Sequence, residues 1–181
     1  MKKVVFTFSF LFAVFIVLSG FHTPPKDDKV VTLSDVSSSL KMYQGNEQYD
    51  FVGDTIVYKE VDKVDYDRVF RESAIIYATI VQVGATVDGL NSNKIPTDAE
   101  FAVATIGFAV KDLPDMKDRI DNLLNALKSL NPKSDFKGLE MKKAPKATEG
   151  INMAKKQLTV SADRLPKLLE DVNELSKKVI K

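Results

Sequence analysis

The chain has 181 residues, of which 44% are hydrophobic and 28% charged, the composition of one ordinary globular domain and not of a disordered chain. It contains no cysteine, which excludes disulfides and thiolate metal sites. Its net charge is +1, and without residues 1–19 it has 24 lysines and arginines against 25 acids, so its charge does not favour nucleic acid as a partner.

The first 19 residues follow the pattern of a secretory signal peptide. Lys2 and Lys3 precede an apolar run over residues 4–18, and Ser19 stands at a plausible cleavage point. The run is short for a membrane span, which needs about 20 residues. We therefore predict an exported protein in the periplasm, the cell envelope or the medium. An anchor formed by an uncleaved N-terminal helix is the alternative.

Residues 20–30 are predicted to form a disordered tether, because Pro24 and Pro25 end any helix and charged residues follow them. Residues 31–61 are predicted to form a small irregular N-terminal cap. They combine spacing typical of a short helix after Ser34 with weak alternation around Gly53 and Asp54, a possible turn between strands. The helical positions are Val36, Leu40 and Tyr43.

A first long helix is predicted from apolar residues spaced alternately by three and four. Asp62 or Asp65 is expected to cap its start, and Asn91 lies at its end. Seven of the eight stripe positions are apolar when tyrosine is counted. They are Tyr66, Val69, Ser73, Ile76, Ile80, Val83, Val87 and Leu90.

A second helix is predicted from Thr97, which forms a capping box with Glu100, to the stop signal at Asn131 and Pro132. All ten stripe positions are apolar. They are Ala99, Ala102, Ile106, Ala109, Leu113, Met116, Ile120, Leu123, Leu127 and Leu130.

A third helix is predicted to follow a linker over residues 132–147 that contains lysine and glycine. Eight of its nine stripe positions are apolar: Ile151, Ala154, Leu158, Ser161, Leu165, Leu168, Val172, Leu175 and Val179. The period near 3.5 residues predicts helices packed side by side at a shallow angle, as in helical bundles and coiled coils.

Pro114 and Pro166 fall near the middle of the second and third helices. A proline there removes one backbone hydrogen bond and kinks or breaks the helix. The apolar stripe keeps its phase across both prolines, which favours kinks. The predicted fold is therefore all-α, an elongated three-helix bundle over residues 62–181, or four to five helices if the prolines break them.

Residue types that perform catalysis are scarce, so we predict that the protein is not an enzyme. The only histidine is His22, and the eight glycines form no phosphate-binding loop. Four aspartates recur every three residues, a spacing that spreads them around a helix. We interpret these four, Asp112, Asp115, Asp118 and Asp121, as a solvated face paired with Lys111, Lys117 and Arg119.

One metal site is conceivable at the N-terminus. If the signal peptide is cleaved after Ser19, the new N-terminus reads Gly20-Phe21-His22, whose amine, amides and imidazole can hold Cu(II) or Ni(II) in a square plane. No other metal, cofactor or catalytic residue is predicted.

The segment over residues 74–110 is apolar nearly all round, which is typical of a helix pair that lies centrally in a fold or in a membrane. We predict an exported, non-catalytic bundle with a structural or protein-interaction role, whose partner is another protein or a second copy. The alternative is a membrane- or lipid-associating protein that uses this hairpin. Residues 132–156, with a net charge of +4, are a further candidate for contact with an anionic membrane.

Overall fold

The computed structural model describes residues 28–32, 35–36, 55–94 and 100–179, without the side chains of residues 101 and 102. Within these ranges four α-helices pack as a bundle beside a two-stranded sheet, which confirms the predicted all-α fold with a small cap. The elements in chain order are β1 (Asp28–Val30), β2 (Val57–Lys59), α1 (Val64–Asn91), α2 (Glu100–Ser129), α3 (Pro132–Asp135), a 3₁₀ helix (Gly138–Lys143) and α4 (Ala144–Val179).

The predicted apolar stripes form the core of the bundle. All eight stripe positions of α1 are buried, as are those from Ile106 to Leu127 on α2 and from Ala154 to Leu175 on α4. α4 packs against both α1 and α2, so it joins the three stripes into one core. The hydroxyls of the two buried serines in these stripes are hydrogen-bonded. Ser73 and Ser161 donate to backbone carbonyls one turn earlier, at 2.7 and 2.8 Å.

Neither proline breaks its helix. α2 continues through Pro114 and α4 through Pro166, so the alternative of four to five shorter helices created by proline breaks is wrong. Both prolines are exposed, whereas the preceding Leu113 and Leu165 are buried. The lost backbone hydrogen bond thus faces solvent, where water can satisfy the carbonyl left without a partner.

The start of α1 differs from the prediction that Asp62 or Asp65 caps it. Lys63 occupies the N-cap position, and no side chain caps the helix from there. The Asp67 carboxylate instead accepts the backbone amides of Val61 at 2.6 Å and of Lys63 at 2.9 Å. Asp62 has φ +55°, and its carboxylate pairs with Lys143 at 3.1 Å and not with the first amides of the helix.

The N-terminal cap contains a short antiparallel sheet in which Asp28 pairs with Lys59 and Val30 with Val57. The last three residues of the predicted disordered tether, 28–30, form β1, so the prediction of disorder is wrong for them. Residues 35 and 36 are helical, in agreement with a helix after Ser34. The rest of that helix, the turn at residues 53 and 54, and the capping box at Thr97 lie outside the described residues.

A second apolar cluster explains why α1 is apolar nearly all round. Val31, Val36 and Ile56 of the cap pack on Ala74 and Ala78 of α1, next to Ala104 of α2. α1 is therefore covered on one side by α2 and α4 and on another by the cap. Of the two settings that its composition indicated, α1 has the central one in this structure.

The predicted linker over residues 132–147 is mostly helical, which corrects the sequence interpretation. α3 and the 3₁₀ helix occupy residues 132–135 and 138–143, and α4 begins at Ala144. Gly138 has φ +59°, a conformation that favours glycine and redirects the chain from α3 into the 3₁₀ helix. These elements are too short to show a helical period, which is why the sequence pattern missed them.

Candidate functional site

Two of the three most exposed large apolar side chains of the described residues lie at one end of the bundle, on the 3₁₀ helix. Leu139 is 93% exposed and Met141 is 64% exposed. We call residues 137–143 the lysine-rich turn, because Lys137, Lys142 and Lys143 flank these two side chains. An exposed leucine alone is ordinary, but two large apolar side chains on one protruding, basic segment indicate a contact surface.

The remaining three exposed large apolar residues in the described part of the chain lie on α1, β1 and α2. Val64, 81% exposed, lies in the first turn of α1 at the same end of the bundle as the lysine-rich turn. Val30 and Val110 are 41% and 37% exposed and lie on β1 and in α2. Three of these five residues therefore share one end, and two of them share one turn.

The charge around the lysine-rich turn is positive. Residues 132–146 carry five lysines against Asp135 and Glu140, a net charge of +3. Lys143 lies 3.1 Å from Asp62, so part of its charge is compensated within the fold. The other four lysines are partly or fully exposed: Lys133, Lys137, Lys142 and Lys146.

A buried aromatic cluster fixes the base of the lysine-rich turn to the bundle. The Tyr66 ring packs edge-on against Phe70 and Phe136, with centroids 5.9 and 5.2 Å away. The Tyr66 hydroxyl donates to Asp135 Oδ2 at 2.6 Å, and the Lys63 ammonium lies 4.8 Å from the Phe136 ring centroid. Contacts between α1 and the segment around α3 thus hold the turn in place.

The electrostatics of this cluster are those of a structural contact. Burial, with the Asp135 carboxylate beside it, raises the pKa of the Tyr66 hydroxyl well above its usual range. The hydrogen bond from Tyr66, and a second from the Asn131 amide, lower the pKa of Asp135. Tyr66 is therefore protonated and Asp135 ionised at neutral pH, so Tyr66 cannot act as a base there.

A groove of about 350 Å³ lies between the cap, α1 and α4. The lining of the groove is largely apolar and includes Ile56, Tyr77 and Met153. Two basic residues, Lys156 and Arg164, also line it and are exposed to solvent. Gln157 donates from Nε2 to the carbonyl of Val57 at 3.0 Å and thereby ties β2 to α4. The Gln157 side chain at the edge of the groove therefore has a structural role. Its other polar atom, Oε1, is buried and has no hydrogen-bond partner.

Among the residues singled out by the sequence, those that the structure describes do not form a site. Gly20, Phe21 and His22, the conceivable copper or nickel ligands, lie outside the described residues. Three of the four aspartates of α2 are exposed and Asp112 is partly so, as predicted. However, no ion pair joins them to Lys111, Lys117 or Arg119 among the described residues, which corrects the expected pairing. Nor do three potential metal ligands converge anywhere in the described ranges.

The hairpin over residues 74–110 is not an exposed apolar surface in its described part. Ile76, Ile80 and Val83 on α1 and Ile106 and Ala109 on α2 are fully buried. α1 is long and apolar enough to cross a membrane, but 61% of its most apolar window is buried in the bundle. Exposing this helix would require the core to open.

The sequence contains a signal for the lysine-rich turn that periodicity does not capture. Leu139 and Met141 are large apolar residues in a lysine-rich segment that has no helical or alternating pattern. Such residues have no predicted core face to join.

Comparison of the chain with family models, with curated proteins and with solved structures finds no match.

Proposed function

We propose that the protein is an exported, non-catalytic helical bundle that acts by binding a partner through the lysine-rich turn. The observation that carries the proposal is the exposure of Leu139 and Met141 on one short basic segment. Their burial against a partner would remove apolar surface from water, the main driving force of association.

A non-catalytic role is supported by the contacts of the polar side chains at this end of the bundle, which bond to one another or to the backbone. Tyr66 and Asp135 bond each other, Asp67 holds backbone amides, and Asp62 pairs with Lys143. Each of these groups makes a structural contact within the fold, although Tyr66 and Asp135 also line a cleft of about 410 Å³ with Lys63 and Arg68. The N-terminal sequence pattern supports export.

The alternative, a membrane-associating protein that inserts the hairpin over residues 74–110, has less support. The length and apolarity of α1 favour it. The packing of α1 opposes it, because α1 contributes buried residues to both apolar clusters. Insertion of α1 into a membrane would expose the other residues of both clusters to water.

Photo-crosslinking in cells that make the protein tests this function. Benzoylphenylalanine is introduced in place of Leu139, and in a matched control in place of Val110, which is also apolar and exposed but lies in the middle of α2. We expect an adduct from position 139 and none from position 110. Equal labelling from both positions, or none from position 139, would contradict the proposal. Mass spectrometry of the same purified protein reports whether residues 1–19 have been removed, as export with cleavage requires.

A further inference from the structure

The size of the lysine-rich turn restricts the kind of partner that it fits. The 3₁₀ helix has six residues, and a side chain as exposed as Leu139 protrudes with almost no neighbours from its own chain. A stable protein interface buries about 800 Å² on each partner. A lipid surface has no such requirement, because a few apolar side chains enter the headgroup region while neighbouring lysines remain at the charged surface.

We propose that the lysine-rich turn docks the bundle on an anionic lipid surface, with Leu139 and Met141 inserted among the headgroups. This inference rests on the proposed binding function and names its partner. The membrane contact is made by a surface segment while the apolar core stays closed, and therefore differs from insertion of the hairpin over residues 74–110.

Charge complementarity specifies that the lipid is anionic. Each lysine near such a surface strengthens binding by about fivefold. Two nearby acids are already partnered, since Asp135 bonds Tyr66 and Asp62 pairs with Lys143. Glu140 and Asp65 are exposed and oppose binding, but the five lysines of residues 132–146, together with Lys63, outnumber these four acids.

The course of the chain brings its N-terminal side to the same end of the bundle. Asp28 in β1 lies 2.7 Å from Lys59, and Lys59 lies 3.4 Å from Glu149. Glu149 is six residues beyond Lys143, about 9 Å along α4. Nine residues separate the apolar run over 4–18 from β1, and they span at most about 30 Å. An N-terminal segment retained in a bilayer would therefore hold the lysine-rich turn near that bilayer.

Tryptophan fluorescence tests the inference at the site itself, because the chain contains no tryptophan. The full-length protein with Leu139→Trp is mixed with vesicles of phosphatidylglycerol and phosphatidylcholine, and separately with vesicles of phosphatidylcholine alone. We expect the emission to move to shorter wavelength with the anionic vesicles only. Val110→Trp is the matched control and should not respond to either. The readout is local, so it holds whether or not the N-terminal segment is attached to the vesicle.

A second measurement tests the role of the lysines. Adding Lys137→Gln and Lys142→Gln to Leu139→Trp should weaken binding to the anionic vesicles by about 25-fold, and 1 M salt should act in the same direction. Both lysines are exposed, so the fold should be retained, as circular dichroism can verify. Binding that is unaffected by both changes would overturn the anionic specificity, as would an equal shift with phosphatidylcholine alone.

The outcomes separate this inference from the proposed function. An unchanged emission from Leu139→Trp with anionic vesicles, together with a protein adduct from position 139 in cells, overturns the lipid partner and leaves the binding function standing. An unchanged emission with no adduct overturns both. A shifted emission, with a lipid adduct from position 139, supports both.

Discussion

Gly150 is a position at which α4 packs directly against a side chain of α1. A Cβ atom at this position would lie 2.3 Å from Cε2 of Phe70, whose ring is buried against Tyr66. The ring cannot move freely, because it is buried in the core and packs against Tyr66 of the aromatic cluster that holds the lysine-rich turn. The absence of a side chain at Gly150 therefore permits the helix packing from which the turn projects.

We expect Gly150→Ala to lower the free energy of unfolding by about 1–3 kcal/mol, the usual effect of overfilling a packed core. Gly84→Ala is the matched control, since a Cβ atom there meets nothing within 4 Å. That change should stabilise the protein by about 0.5–1 kcal/mol, the ordinary gain from replacing glycine with alanine inside a helix. Urea denaturation measures both, and equal effects of the two substitutions would disprove the close contact.

The hydrogen bond from Tyr66 to Asp135 predicts a dependence of stability on pH. The pKa of Asp135 is lowered in the folded protein, so the stability that it contributes is present above its unfolded pKa of about 3.9. This contribution is lost as the pH falls through the lower, folded value. Tyr66→Phe keeps the aromatic packing and removes the hydroxyl. We expect it to be less stable than the wild type at pH 7 and to approach the wild type as the pH falls below about 4.

Urea unfolding of both proteins between pH 2.5 and pH 7 measures this difference. Asp135→Asn serves as the background for the control, because an amide at this position does not titrate. The difference in stability that Tyr66→Phe makes in this background should vary little with pH. A gap between wild type and Tyr66→Phe that stayed constant over the whole range would show that ionised Asp135 does not strengthen the bond.

At the scale of the helices, the two sides of α2 should respond very differently to mutation. Ile120 is buried in the stripe, and Ile120→Ala should lower the free energy of unfolding by about 2–5 kcal/mol through cavity formation. Asp115 is exposed and has no ion pair within the described residues, so Asp115→Asn should change stability by no more than about 0.5 kcal/mol. Thermal unfolding compares the two, and a large loss from Asp115→Asn would contradict the solvated face.

The same helices show what the sequence could predict. The stripes of α1, α2 and α4 repeat over many turns, so one period identified both the helices and their buried sides. β1 and β2 have three residues each, too few for alternation to be recognised. Asp67, and not Asp62 or Asp65, holds the amides before α1, because that choice depends on the local backbone angles and not on residue type alone.

The candidate site was predictable only in part, for a related reason. The excess of lysine after Pro132 is evident in the sequence and suggests an anionic contact. The exposure of Leu139 and Met141 is not evident, because an apolar residue without a periodic pattern can as well fill a core as protrude from it. The turn at Gly138 and the anchoring of Phe136 beneath it determine which of the two occurs.

For the whole molecule, the question is whether one copy completes its own core. In the described ranges most stripe positions of the three long helices are buried within one chain, and Val30, Val64 and Val110 are exposed on three different elements. Obligate dimers usually bury more than about 2,000 Å² of largely apolar surface. The described part of the chain presents no surface of this kind away from the lysine-rich turn.

We therefore expect the protein to sediment with the mass of one chain at micromolar concentration, in buffer if the N-terminal segment has been removed and in detergent if it has not. Leu139→Ser combined with Met141→Ser should leave that mass unchanged, because the turn is proposed to bind lipid and not another copy. Sedimentation velocity measures the mass of the particle with and without this double substitution. A dimer that dissociates on this double substitution would place a second copy on the turn, whereas a dimer that persists would place the interface on residues outside the described ranges or on the cap around Val30.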